Sequence, residues 1–464
     1  APKETVELEI VYEGVIVLDA TRLTRINAPE SAAQATDWDQ ISTKFTAVRG
    51  VGYVTWYPIA TEATSFAEGN SVAERLGRWK EREFGSTMHL QIAVTADEGD
   101  APELLVNATS CPMSNESQHL FVADCSYRSL GSVVPTFMIA NYEVLDREAI
   151  GIHFLRGHDA SATTYADAAE KAASLINDWF GAPRTKAQTA DLGNEDSPPF
   201  ETGPLLITPL AGMDPKVAGL AAAHQLTHAA FSSPRPWINE GLAHFAQALY
   251  LEHQSGRQAA LDYLAVHRSA IDGKNKNKEK LASAPTPDDA TTQSLINTYD
   301  EELYRSKAMF VWWMLRDMLG DQALKKALAS YHAEDDKEPS YLLRLIQAQT
   351  QKDLEWFFDD WVYRDHGLPD FKVASAFTRK LLPEGFMVTV TVENPGAAGA
   401  EVPVTVKYAG GEVTKRLVVR SKSNGVIRIE VTKPPEEIVV NDGSVPESNT
   451  TNNVFKIEAS EEAK

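Results

Sequence analysis

Long apolar runs are missing from this chain, and no stretch approaches the roughly 20 hydrophobic residues of a membrane-spanning helix. Basic residues are scarce beside acidic ones, 44 Lys and Arg against 65 Asp and Glu in 464 residues, for a formal charge of −21. That balance argues against nucleic acid held through its phosphates and against an anionic membrane held through a polybasic patch. There is no Gly-rich phosphate loop, no G-x-S-x-G elbow and no repeat array. Cysteine is limited to Cys111 and Cys125, in a Ser/Asn-rich segment. An even pair there predicts one disulfide in an oxidising compartment; two free thiols in a cytosolic protein is the competing reading. The start, Ala1-Pro2-Lys3, has neither initiator Met nor a hydrophobic signal core. A mature protein whose leader was removed would begin this way, as would an arbitrary boundary. We therefore expect a secreted or periplasmic location. Sequons at Asn107, Asn115 and Asn449 matter only in a host that glycosylates.

What is present is globular. A hydrophobic content of 43% with 9% aromatics supports a packed core, and the length predicts two to four domains. Val6–Tyr12 and Met88–Val94 alternate like strands. Tyr165 to Phe180 carries an apolar stripe of Ala168, Ala172, Leu175 and Trp179 and stops at Gly181-Ala182-Pro183, as an amphipathic helix does. Thr185 to Pro199 reads as a loop. Val217 to Phe358 is mostly helical in pattern, interrupted by a lysine run at Lys274–Lys280, read as a solvated loop, and by turn residues at Pro285–Asp289. After Gly367-Leu368-Pro369 the period returns to two, at Val388–Val392, Val402–Val406 and Val426–Val431, which predicts a β-sandwich. The acidic, amide-rich stretch from Asn441 to Asn453 reads as a sandwich turn, with calcium as the alternative.

The chemistry concentrates in Ala223-His224-Gln225-Leu226-Thr227-His228. Histidines at i and i+4 stand one above the other on a helix face, so both imidazoles can reach one ion. With 11 histidines in the chain, chance alone supplies roughly a quarter of such a pair, so the spacing by itself is weak. Beyond it, Pro234-Arg235-Pro236 opens a second helix at Trp237-Ile238-Asn239-Glu240-Gly241. Glu240 can return to the first helix and complete a two-His, one-Glu set, leaving one zinc position open. The bland alternative is a pair of core histidines and a glutamate placed at a helix N-terminus for its dipole.

These residues resemble the gluzincin zinc metallopeptidases of the membrane alanyl aminopeptidase family (aminopeptidase N, leukotriene hydrolase), in which H-E-x-x-H is followed by a W-L-N-E-G-F-A segment. Leu303-Tyr304-Arg305-Ser306-Lys307-Ala308 is similar to that family's Y-x-K-G-A helix. Asp353–Trp361 running to Gly367-Leu368-Pro369 resembles the end of its catalytic domain, and Gly52–Pro58 a segment of its N-terminal β domain. The resemblance implies a multidomain α+β chain. It comprises an N-terminal β domain (1–156), a thermolysin-like, mainly helical catalytic domain (157–369) and a C-terminal immunoglobulin-like β-sandwich (370–464). It further implies zinc held by His224, His228 and Glu240, peptide-bond hydrolysis by a zinc-activated water, and Tyr304 as the phenol that stabilises the oxyanion. His244, one turn beyond Glu240, reads as a supporting residue and not a ligand.

Three departures stand out. Gln225 occupies the place of the general-base glutamate, and a carboxamide cannot take a proton. The chain is then inactive or weakly active as written, through a natural Gln or an introduced one. No G-A-M-E-N segment is found; Phe200–Thr208 lies at about its place, with Glu201 the substitute candidate for holding a substrate's amino group. Only 11 residues, 229 to 239, separate His228 from Glu240, where the family has a longer insertion. The functions in contention are an aminopeptidase N-type zinc metallopeptidase acting on peptides, and a non-catalytic relative serving an envelope or extracellular assembly through its β domains. A carbohydrate-binding sandwich with a fortuitous His pair is a third.

Overall fold

The computed structural model describes residues 40–41, 45–48, 86–95, 102–107, 109–117, 119–130, 135–282, 294–298 and 301–457. The strand expected at Val6–Tyr12 and the Gly52–Pro58 segment lie outside them. The described residues form helices and several sheets, a multidomain α+β organisation. None of their helices is long and apolar enough to cross a membrane. The chain divides into two compact units, one of residues 1–166 with 186–214 and one of 167–185 with 215–464.

In the first unit, β1 (Gln40–Ile41), β2 (Thr46–Val48), β4 (Glu103–Val106), β5 (Thr109–Ser110) and β8 (Phe137–Ala140) make one sheet in the order β1-β2-β8-β4-β5. A second sheet pairs β3 (Ser86–Thr95) with β7 (Leu120–Leu130) and β7 with β6 (Ser114–Ser117). Burial alternates residue by residue along β3, as its sequence predicts. Cys111 and Cys125 form a disulfide with Cα atoms 6.2 Å apart, packed with Leu104, Val106 and Ala123. The third sheet has the order β12-β13-β11-β10-β9, formed by β9 (Glu143–Asp146), β10 (Ile150–Phe154), β11 (Ala187–Asp191), β12 (Phe200–Thr202) and β13 (Leu205–Thr208). β10, β11 and β13 run parallel, and the long helix α1 (Asp159–Phe180) provides the crossover from β10 to β11. β11 corrects the reading of Thr185 to Pro199 as loop. Its Ala-Gln-Thr-Ala-Asp sequence has little intrinsic strand preference, and pairing on both edges overrides that.

The second unit opens with helices α2 (Pro215–Ala230), α3 (Pro236–Ser255), α4 (Arg257–Ala282), α5 (Glu301–Leu319), α6 (Asp321–Ala329) and α7 (Tyr341–Gln347). The lysine run at 274–280 continues α4 and does not break it, since Lys and Glu are good helix formers. α3 crosses α5 at Gly241. A Cβ built there would stand 2.6 Å from Ala308 Cβ and 3.0 Å from Trp312 Nε1. Trp237 stacks on Trp312 beside it, ring centroids 5.6 Å apart. Gly241→Val should therefore cost stability at the upper end of the roughly 1–3 kcal/mol typical of overpacking. A denaturant melt checks this, and an unchanged midpoint would show that the crossing is looser than the distances say.

Two sheets complete the unit. One has the order β14-β15-β18, from β14 (Lys372–Lys380), β15 (Phe386–Asn394) and β18 (Ser423–Val431); the other has the order β17-β16-β19-β20, from β16 (Ala400–Tyr408), β17 (Gly411–Val419), β19 (Pro435–Val440) and β20 (Val454–Lys456). They pack face to face over alternating valines, Val388, Val390 and Val392 against Val404, Val406 and Val440, all fully buried. The sandwich is tied to the helices by polar contacts as well as packing. Trp361 Nε1 donates to the Gly399 carbonyl at 2.7 Å, and Gly399 N donates to Asp360 at 2.8 Å. Asp317 of α5 receives both Arg257, at 2.7 Å, and Arg416 of β17, at 3.1 Å. Lys352 reaches Glu401 at 2.7 Å.

The Asn441–Asn453 stretch forms the turn that the sequence suggests, around a fully buried Glu447. Burial pushes the Glu447 carboxyl up to about 7, against hydrogen bonds from Asn453, the Phe371 amide and Asn441, and Asp370 adds to the rise. A carboxyl raised in the folded state binds its proton more tightly there than in the unfolded chain. Stability from this group thus falls as pH climbs from about 4.5 to 7, by up to about 3 kcal/mol. Denaturant melts of the wild type and Glu447→Gln at pH 5 and pH 8 should show the wild type alone losing that increment. Equal pH slopes in the two would sink the assignment.

Candidate metal centre

α2 is rich in alanine, and Gly219 sits so close to α3 that a Cβ there would meet the Tyr250 hydroxyl at 2.6 Å. Small side chains let the two helices approach, which sets the spacing of the polar residues between them. His224 and His228 are buried one turn apart on α2, with their Nε2 atoms 3.2 Å from each other. α3 begins with Pro236 at its first turn, where a missing N–H costs nothing, and so places Glu240 one turn in. Its carboxylate straddles the pair, Oε2 lying 3.5 Å from His224 Nε2 and Oε1 lying 3.6 Å from His228 Nε2.

Donors about 2.0–2.1 Å from a tetrahedral ion sit about 3.3–3.4 Å from one another. The two nitrogens 3.2 Å apart, each facing its own carboxylate oxygen at 3.5 or 3.6 Å, are close to that spacing, and two imidazoles with a carboxylate are a borderline donor set suited to zinc. Burial pushes the Glu240 carboxyl up, but the charge on His228 and hydrogen bonds from both histidines outweigh it, leaving the group well below the usual carboxylate range. The carboxylate is therefore in its ligating form at neutral pH.

The approach of α3 is held by a chain of hydrogen bonds with no counterpart in the sequence reading. The Asn239 amide meets His228 Nδ1 at 3.2 Å and accepts from the Ser233 amide at 3.1 Å. The Ser233 hydroxyl contacts Tyr331 OH at 2.7 Å. Tyr331 donates to Asp336 at 2.6 Å, and Asp336 also holds the Arg235 guanidinium at 2.7 Å. Of these, only Asn239 stood inside a recognisable motif; Tyr331 is 98 residues from Ser233 and gave no signal.

Gln225 is fully buried on α2, next to His224. Tyr304 falls on α5, with its side chain outside the described residues. Glu201 belongs to the first unit, on the edge strand β12 opposite Leu206 of β13. Lys307, also on α5, is buried against Asp365 and lies over the Trp361 ring at 5.6 Å. His244, one turn past Glu240, packs edge-to-face on His224 with ring centroids 4.6 Å apart. Burial first, then the charges of His224 and Arg305, hold His244 well below the ordinary imidazole range, with Glu240 opposing. It is a neutral imidazole.

Residues 234–361 match the Peptidase family M1 domain, a span that includes Glu240 and α5 and starts after the histidine pair. No curated protein matches the chain. Among solved structures, it is similar to the M1 zinc metallopeptidase of Deinococcus radiodurans. A point mutant of that enzyme is 17% identical, with 60% of this chain and 64% of that one covered at a TM-score of 0.40. The same mutant bound to a Tyr-Ser-Ala substrate is 16% identical over 61% and 65%, at 0.42. The unmutated enzyme is 16% identical over 57% and 60%, at 0.38. The matched part thus spans less than two thirds of those chains. The match to the Peptidase family M1 domain covers residues 234–361, under a third of the chain, and the cofactor that such a domain implies is zinc.

Proposed function

We propose that the protein is a zinc-binding metallopeptidase of aminopeptidase N type, in which His224, His228 and Glu240 hold the metal and peptides are the substrates. The observation that carries this reading is the donor cluster, two Nε2 atoms 3.2 Å apart that each face a different oxygen of Glu240 at 3.5 or 3.6 Å. Bound there, zinc supplies Lewis acidity toward a peptide carbonyl and lowers the pKa of water. The chain's own residues supply the rest. Tyr304 is our candidate donor to the oxygen on which charge develops. Gln225 stands where a proton must be removed; its amide can orient a water but cannot accept the proton. Hydrolysis by the chain as written is accordingly slow. The disulfide supports a location in an oxidising compartment.

Gln225 also favours a second reading, a non-catalytic relative that keeps the metal and uses its β domains for a protein partner. Metal content by mass spectrometry tests what the two share. One zinc per full-length chain is expected after purification without chelator, and a chain that takes up none in zinc-replete buffer overturns both.

A further inference from the structure

We propose that Asp370 and Glu447, with the side-chain oxygens of Asn452 and Asn453, form a calcium site at the point where the chain enters the sandwich. The proposal is independent of the zinc reading and concerns residues which that reading leaves unused.

Three observations carry it. The first is a closed ring of contacts. The Phe371 amide donates to Glu447 Oε2 at 3.0 Å, the Asn453 side chain donates to Glu447 Oε1 at 2.5 Å, and the neighbouring Asn452 donates to Asp370 Oδ1 at 2.8 Å. Asp370 precedes Phe371, so the ring brings two carboxylates and two amides to one place. The second is charge. Glu447 is fully buried, and the charge that bears on it is that of Asp370, of the same sign. Among the described residues no Lys, Arg or His pairs with either carboxylate. Third, the Oδ1 atoms of Asn452 and Asn453 are buried without a hydrogen-bond partner, and Asn453 is 6% exposed.

Buried carboxylates are paired or hold a metal, and a buried amide oxygen calls for a donor or a cation. Calcium answers both demands at once. It takes about six to eight oxygens, carboxylate and amide among them, in a flexible arrangement. The Asn453 amide already faces Glu447. Its oxygen and nitrogen ends are nearly the same size, so a half-turn presents Oδ1 to an ion on the carboxylate without a steric cost. Asp370 and Asn452 are only partly buried, which lets water complete the shell. Magnesium suits the place less, because it demands a near-ideal octahedron and shorter bonds. Ser448 also donates to the Pro369 carbonyl at 2.9 Å, so the ion would clamp residues 369–371 to the turn at 441–453. With two carboxylates, its affinity belongs to the weak class of extracellular modules, about 10⁻⁴–10⁻³ M.

The test uses the full chain freed of metal on a chelating resin, with a second sample resupplied with zinc, each titrated calorimetrically with CaCl₂ and with MgCl₂. The variants are Asp370→Asn, Glu447→Gln and, as a control, Asp442→Asn, a carboxylate of the same turn that pairs with Arg257. One calcium per chain is expected, bound equally with and without zinc and more tightly than magnesium. Asp370→Asn should weaken it at least tenfold, Glu447→Gln should abolish it, and Asp442→Asn should leave it unchanged. No calcium bound by the wild type at up to about 10 mM, well above the expected constants, overturns the proposal. So does binding that persists in both Asp370→Asn and Glu447→Gln, which places the ion elsewhere. An equal loss in Asp442→Asn reduces the effect to general acidic charge, and magnesium bound as tightly as calcium removes the calcium assignment. Should Glu447→Gln fail to fold, Asp370→Asn decides, since it keeps an oxygen for Asn452 at a partly buried position.

Discussion

Gln225→Glu should raise peptide turnover by about 10²–10⁴-fold at equal zinc content, the range that a general base contributes. The change is isosteric, so it adds no volume to a site where the side chain is fully buried. Burial raises the pKa of a carboxyl, and a base that ionises nearer neutrality is better matched to taking a proton at pH 7. The measurement is the hydrolysis rate of a panel of short peptides with free and blocked N-termini, with zinc quantified in the same samples. Unchanged rates in a variant that holds its zinc would leave the non-catalytic reading as the one that survives. A gain confined to free N-termini would support the aminopeptidase assignment, and a gain on blocked peptides would point to endopeptidase action.

Glu240→Ala has the second large expected effect, on the metal itself. The carboxylate faces both imidazoles and is the only negative charge among the three. Without it two neutral imidazoles remain, and zinc affinity should drop by more than the 10–100-fold that supporting residues account for. Ligand binding stabilises the fold by RT ln(1 + [L]/Kd), about 4 kcal/mol when zinc stands at 1,000 times its dissociation constant. Wild-type chain in zinc should therefore melt well above wild type in a chelator, and Glu240→Ala should melt at one temperature in both. If the variant still gains stability on adding zinc, the cluster of His224, His228 and Glu240 is not where the ion sits.

The sequence made the meeting of His224, His228 and Glu240 legible and much of its support illegible, for a physical reason. His224 and His228 are four apart on one helix and Glu240 opens the next, so their meeting needs only helical geometry and a short turn. The chain from Asn239 through Ser233, Tyr331 and Asp336 depends on residues almost a hundred positions apart, and spacing along a sequence carries no information about such a contact. The sandwich was legible because its valines alternate over many residues. β11 was not, since its alanines and polar residues are strand only by virtue of their neighbours. The lysine run misled in the opposite direction, its charge suggesting a loop where helix propensity carried α4 onward.

Asp317, shared by Arg257 and Arg416, together with the Trp361–Gly399 bond, has a practical consequence for how this protein can be cut or recombined. The sandwich is not a cassette. A chain ended near residue 369 would lose Arg416 from Asp317, which is about nine-tenths buried, and the acceptor from the indole of Trp361, which is wholly buried. Groups left unmet in that way are costly, and Asp317 lies on the same α5 that supports Gly241 and thus the helix carrying Glu240. Homologous exchange of the C-terminal sheets should succeed only where the donor protein brings matching partners for Asp317 and Trp361. The helices that carry His224, His228 and Glu240 and the sandwich are best regarded as one inherited piece.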